Sequence, residues 1–223
     1  MTMTKSELKR QVWEAIDRRA EEIIGIGERI RTHPELGFKE VRTAALVAET
    51  LGKLGLAPRT GLALTGVRAD APGRTGDGPT FAVLGELDAL VVAGHPEGDP
   101  ATGAAHACGH NAQVAGMLGA AMGLLDARAL DHLAGRVAFF AVPAEEYGDI
   151  EWRVGQARAG RLEFLGGKPE LLRLGHFDDV DLDLLADGAA GAREVLRAAR
   201  PPMTREQYLA FQRGLVRHEV YEK

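Results

Sequence analysis

The chain has 223 residues, 45% hydrophobic and 26% charged, a composition that can bury a core and excludes a disordered tract. Its 27 Lys and Arg against 32 Asp and Glu leave a formal charge of −5, and no basic stretch is dense enough to mark a nucleic-acid surface. No apolar run approaches the roughly 18 residues of a membrane span, "MTMTKSELKRQ" has no signal-like apolar region, and the lone Cys108 excludes an internal disulfide framework, so a cytoplasmic domain away from membranes is expected.

In chain order, the first element is one long amphipathic helix. Thr4 and Glu7 form a capping box, and Leu8, Val12, Ala15, Ile16, Ala20, Ile23, Ile24 and Ile30 recur at helical spacing up to His33-Pro34. A second helix is predicted over about 39–54, ended by Gly55. Strand-like runs follow at 62–70 and 80–87, joined by the turn-rich "APGRTGDGP". Residues 110–127 read as a helix rich in small side chains, suited to close packing on a sheet. The run at 136–142 is apolar without alternation, which fits a strand covered on both faces. Strand, helix, strand in this order predicts an α/β fold, with the 110–127 helix as the crossover between neighbouring strands. Two further helices are predicted at about 189–199 and 204–217, parted by Pro201-Pro202 and with a second capping box at Thr204 and Gln207.

Three constellations could carry chemistry. In "GAAHACGHN" (103–111), His106, Cys108 and His110 fall where a loop becomes a helix, and thiolate and imidazole are the usual ligands of zinc and its neighbours. A helix N-terminus also favours a thiolate. The alternative is a small buried cysteine with helix-capping histidines. In "AVPAEEY" (141–147), Glu145 and Glu146 follow the buried strand at the end where α/β sheets place ligands; otherwise they are a solvated pair. In "GELDAL" (85–90), Asp88 could orient a ligand histidine and Glu86 could face the same cavity, or both could belong to a strand-end turn.

"HPELGF" (33–38), "GELDAL", "GAAHACGHNAQVAGMLGAA" (103–121) and "PAEEY" together resemble the metal-dependent aminoacylase, carboxypeptidase and amidohydrolase family of metallopeptidases. The likeness runs over about residues 20–187 and is strongest to the branch acting on N-acyl-amino acids, hippurate-type and aminobenzoyl-glutamate-type amides. The resemblance implies an α/β fold with a mixed, mostly parallel central sheet and helices on both faces. It implies Cys108, His110 and Glu146 as metal ligands, Glu145 as general base, and Asp88 as the acidic residue of the first motif, in the catalytic set with Glu145. His106 belongs to the motif's loop.

Family members are longer. They insert a lid or dimerisation domain and take another histidine ligand after a segment like "FDDVD"; here Asp187 stands near that position and the next histidine is His218. The chain therefore reads as the N-terminal part of the catalytic domain (1–187) joined to a closing helical segment (188–223), without the lid.

The expected function is hydrolysis of N-acyl-amino acids or related small amides, with a divalent zinc, manganese or cobalt ion, a small amide or peptide-like substrate, and a homo-oligomer as one arrangement. Two alternatives stand beside it: a catalytically impaired remnant that keeps metal binding or serves as an interaction module, and a cysteine-nucleophile enzyme built on Cys108.

Overall fold

A computed structural model describes residues 3–185, and the apolar run at 136–142 lies at its centre. That run is β6 (Arg136–Val142). It lies between β2 (Gly66–Pro72), to which it is antiparallel, and β3 (Thr80–Glu86), to which it is parallel. β1 (Arg59–Leu62) extends the sheet antiparallel beyond β2, and β7 (Leu182–Leu185) extends it parallel beyond β3. The sheet is mixed, as expected, and its described pairings divide evenly between the two senses. A short ladder joins β4 (Leu90–Val91) to β5 (Ala104–Ala105).

Burial explains the unbroken apolar character of β6. Val137, Phe139 and Ala141 join a core with α2 (Ala20–Arg31), α3 (Val41–Lys53) and α4 (His110–Asp126), and α1 (Lys5–Arg18) packs against α4. Ala138, Phe140 and Val142 face a second core with Leu162, Leu171 and Phe177, beside α5 (Ile150–Arg158) and α6 (Gly167–Arg173). Phe140 and Phe177 stack with ring centres 4.9 Å apart. Both faces are thus covered, and α4 is the crossover from β3 to the parallel β6.

The expected first helix is divided. The Thr4–Glu7 capping box forms, but the helix ends at Arg19, whose N–H turns back to the Ile16 carbonyl at 2.9 Å. A straight helix from Lys5 to Arg31 would run roughly 40 Å, against roughly 25 Å for the 17-residue α4. The break lets both halves follow α4, with Val12 and Ile16 against Gly123 and Ile23 against Gly119. The Arg19 guanidinium fixes the bend through two bonds to Asp126, at 2.8 and 3.1 Å.

The run at 62–70 is likewise two strands. Ala63 and Leu64 both take positive φ, 46° and 75°, and turn β1 into β2 as a tight hairpin. α3 ends as predicted: Gly55 takes φ +84°, and the Leu56 N–H bonds back to the Leu51 carbonyl at 3.1 Å.

In register, Glu86 is level with Val142, and the Leu87 N–H donates to the Val142 carbonyl at 2.9 Å. Residues 86–88 and 143–146 therefore leave the sheet side by side at one edge. The helices expected at 189–199 and 204–217, the Thr204–Gln207 box, Asp187, His218 and the segment 188–223 lie outside the described residues. No helix among the described residues is long and apolar enough to cross a membrane.

Candidate metal centre

Three chain segments meet at that sheet edge. The end of β3 and the residues after it deliver Glu86 and Asp88, the loop after β6 delivers Glu145 and Glu146, and the loop into α4 and its first residue deliver Cys108 and His110. Gly109 stands at the N-cap with φ +92°, a left-handed turn that glycine adopts at little cost and that sets Cys108 before the helix and His110 inside it.

The donor atoms of Cys108, His110 and Glu146 lie within 4.8 Å of one another. Those of Glu86, His110 and Glu145 form a second group within the same limit, sharing the one imidazole. Thiolate, imidazole and carboxylate are a suitable mixed donor set for zinc and neighbouring divalent transition metals, so these residues fit such an ion.

His110 is buried and held at both ring nitrogens. Nδ1 is 2.8 Å from the Asp88 main-chain carbonyl, which can only accept, so Nδ1 carries the proton there. Nε2 lies 3.0 Å from Glu86 Oε2 and 3.9 Å from Glu145 Oε2. Burial works against the charged ring, but the bonds to Asp88 and Glu86 outweigh it and raise the pKa to about 11. Glu86 is the reciprocal case: burial pushes its carboxyl up, and the bonds from His110 and Lys168 pull it below the usual range. Lys168, on α6, pairs with the Glu86 Oε1.

Asp88 is fully buried, and its carboxylate takes the backbone N–H groups of Glu145 at 3.1 Å and Glu146 at 2.9 Å. The main chain of Asp88 thus orients the imidazole while its side chain holds the glutamate loop. Glu145 is partly exposed, and burial together with the charge of Glu86 raises its pKa. The Cys108 thiol is exposed, not the small buried hydrophobe of the bland alternative. Its pKa is raised, by desolvation first and then by Glu146, the reverse of what the helix terminus alone would give. His106 has both ring nitrogens buried with no hydrogen-bond partner among the described residues, and burial lowers its pKa to about 4.

Sequence reasoning missed two participants. Lys168 had one available signal, the pair Gly166-Gly167 before it: Gly167 lies against the Pro143 carbonyl and its N–H bonds to the Ala144 carbonyl at 2.9 Å. Glu40 had none: it stands at the start of the helix predicted over about 39–54, and the structure buries it fully. Burial and the charge of Asp88 push its pKa up to about 7.

No family model matches the chain. Over 147 residues it is 36% identical to IAA-amino acid hydrolase ILR1-like 5 of Arabidopsis thaliana, covering 65% of this chain and 32% of that protein. Over 130 residues it is 35% identical to N-acetyl-L-cysteine deacetylase of Bacillus subtilis, covering 57% and 30%. The crystal structure of the Bacillus subtilis YXEP protein, a dinuclear metal binding peptidase from the M20 family, superposes with a TM-score of 0.57 at 28% identity, over 73% of this chain and 41% of that one. The chain spans about a third of the length of the curated relatives it matches.

Proposed function

From its membership of the metal-dependent amidohydrolase and peptidase family, to which this chain belongs, we propose that it serves hydrolysis of amide bonds in N-acyl-amino acids or related small amides. The observation that carries the proposal is the convergence of Cys108, His110 and Glu146, with Glu145 beside them. Cys108, His110 and Glu146 would hold one divalent ion of the zinc, manganese or cobalt kind. Such an ion, when bound, supplies Lewis-acid polarisation of the amide carbonyl and acidifies water. Of the His110 ring nitrogens only Nε2 is left for an ion, Nδ1 being committed to the Asp88 carbonyl, and an ion bound there would displace the Nε2 proton.

The chain's own residues supply the proton handling. Glu145 takes a proton from the attacking water and returns it to the leaving amine nitrogen. Burial and the charge of Glu86 raise its affinity for a proton, which favours it as the acceptor. Asp88 keeps Glu145 and Glu146 in place through their main-chain amides. Lys168 offsets the negative charge that Glu86 brings to the pocket. In this reading the described residues belong to the N-terminal part of a cytoplasmic catalytic domain.

The test is hydrolysis of a hippurate-type substrate that is abolished by a chelator and restored by Zn²⁺, Mn²⁺ or Co²⁺. The three-donor group of Cys108, His110 and Glu146 is equally compatible with a second reading, a metal-binding chain without turnover. Stoichiometric metal with no hydrolysis would select it. The raised Cys108 pKa weighs against a cysteine nucleophile, which a thiol-alkylation assay insensitive to chelator would restore.

A further inference from the structure

The loop that carries Glu145 and Glu146 presents three consecutive amides, of residues 144, 145 and 146, to two buried carboxylates. Asp88 accepts the second and third. The first, from Ala144, goes to Glu40 Oε1 at 2.8 Å. Ala144 takes φ +49°, a left-handed conformation that is unfavourable for a residue with a Cβ and persists only where the surroundings impose it. Glu40 is itself fixed. The Thr65 hydroxyl donates to its Oε2 at 2.5 Å, and both residues are buried.

The segment before Glu40 is tied to the same sheet edge. Leu36 bridges to Ala89, and the Ala89 N–H, next to Asp88, donates to the Glu35 carbonyl at 2.8 Å. The Glu35 carboxylate binds the N–H and hydroxyl of Thr43 at 2.8 and 2.9 Å, capping α3. A Cβ on Gly37 would stand 2.9 Å from the Ala144 Cα, so only glycine lets this strand of chain lie so close to the loop. The motif "HPELGF" thus places Glu40, two residues beyond it, against the glutamate loop.

We propose that Glu40 is a positioning residue for the candidate site: by holding the Ala144 amide it fixes the strained turn that aims Glu145 and Glu146. The aiming of base and ligand rests on the proposed function; the hold on the amide does not.

The experiment compares Glu40→Met, which keeps the length but offers no acceptor, with Glu40→Gln, which keeps one. Amide hydrogen exchange at 144–146 and Co²⁺ affinity, read from the thiolate–cobalt absorption band, are measured on the full chain. In Glu40→Met, exchange at 144–146 should rise about tenfold or more while the β6 amides stay protected, and Co²⁺ affinity should fall by a similar factor. Glu40→Gln should recover most of both. Unchanged exchange in Glu40→Met overturns the proposal, as does restored exchange with cobalt affinity equal in both variants and the parent. Should Glu40→Met fail to fold, the parent decides: an Ala144 amide as protected as those of Glu145 and Glu146 supports the hold, and a fast-exchanging one overturns it. A parent that binds no cobalt defeats the metal reading, while the exchange data still decide on Glu40.

Discussion

Replacing Asp88 with asparagine changes one oxygen to an NH₂ and little else in shape. Both Asp88 oxygens accept backbone amides, from Glu145 at 3.1 Å and Glu146 at 2.9 Å, so the variant must leave one of those N–H groups facing another donor. A hydrogen bond to a charged acceptor contributes about 1.5–3 kcal/mol, and a buried donor left unpaired costs about 1–3 kcal/mol. Against this, loss of one negative charge relieves the repulsion that Asp88 exerts on buried Glu40. The net expectation is a loss of about 2–4 kcal/mol, a large share of the ~5–15 kcal/mol that holds a domain together. With a urea m-value of about 2 kcal/mol per molar, the unfolding midpoint should drop by about 1–2 M at unchanged m. Metal affinity should fall with it, because the Glu146 main chain loses its anchor. A midpoint shift equivalent to less than about 0.5 kcal/mol, the range of an ordinary surface change, would refute this account of Asp88.

Glu145→Gln should abolish turnover and leave metal content unchanged, whereas Glu146→Gln should lower metal content; equal metal and equal activity in both would show that the roles are misassigned. Buried Arg68 binds both oxygens of Asp179 at 2.7 Å, and this holds the Asp179 carboxyl below its ordinary range. The stabilisation is therefore present above the unfolded value of about 3.9 and is lost as pH falls through the folded one. Asp179→Asn should shrink that acid limb and cost about 1–2 kcal/mol, less than for a buried pair because Asp179 is 41% exposed, and an unchanged limb in urea titrations would count against it. Gly167→Ala would bring a Cβ to 2.6 Å from the Pro143 carbonyl carbon, so a loss of about 1–3 kcal/mol is expected, and an unaltered Tm would contradict the close approach.

The parts of this fold that were legible in the sequence are those whose signal is local. β6 showed as an apolar run because both of its faces are covered, and α4 showed as a small-residue helix because Gly119 and Gly123 lie under Ile23 and Ile16. What stayed hidden depends on partners distant in the chain or on weak patterning. The break at Arg19 follows from the length of a helix more than 90 residues away and from Asp126 at its far end. The Ala63-Leu64 turn uses residues with no turn preference, so the strand run seemed continuous. α5 carries almost no apolar stripe because its buried residues are Arg153 and Gln156, a case that hydrophobic periodicity cannot register.

The candidate site divides along the same line, and its charge explains why. Residue type alone singles out Cys108, His110 and the glutamate pair, because thiol, imidazole and adjacent carboxylates are scarce and chemically distinctive. Glu86, Asp88, Glu145 and Glu146 crowd four carboxylates around one imidazole, and such a set is stable only if something offsets it. Part of the offset is Lys168 on Glu86, placed there by the packing of Gly167 under Pro143. Part is the row of amides from 144 to 146, spread over Asp88 and Glu40. The main-chain N–H groups carry no mark in the sequence, and the lysine only the indirect one of the Gly166-Gly167 pair before it. Cys108, Glu145 and Glu146 lie on the more exposed side of the cluster, where a divalent cation would balance the carboxylates and favour the thiolate.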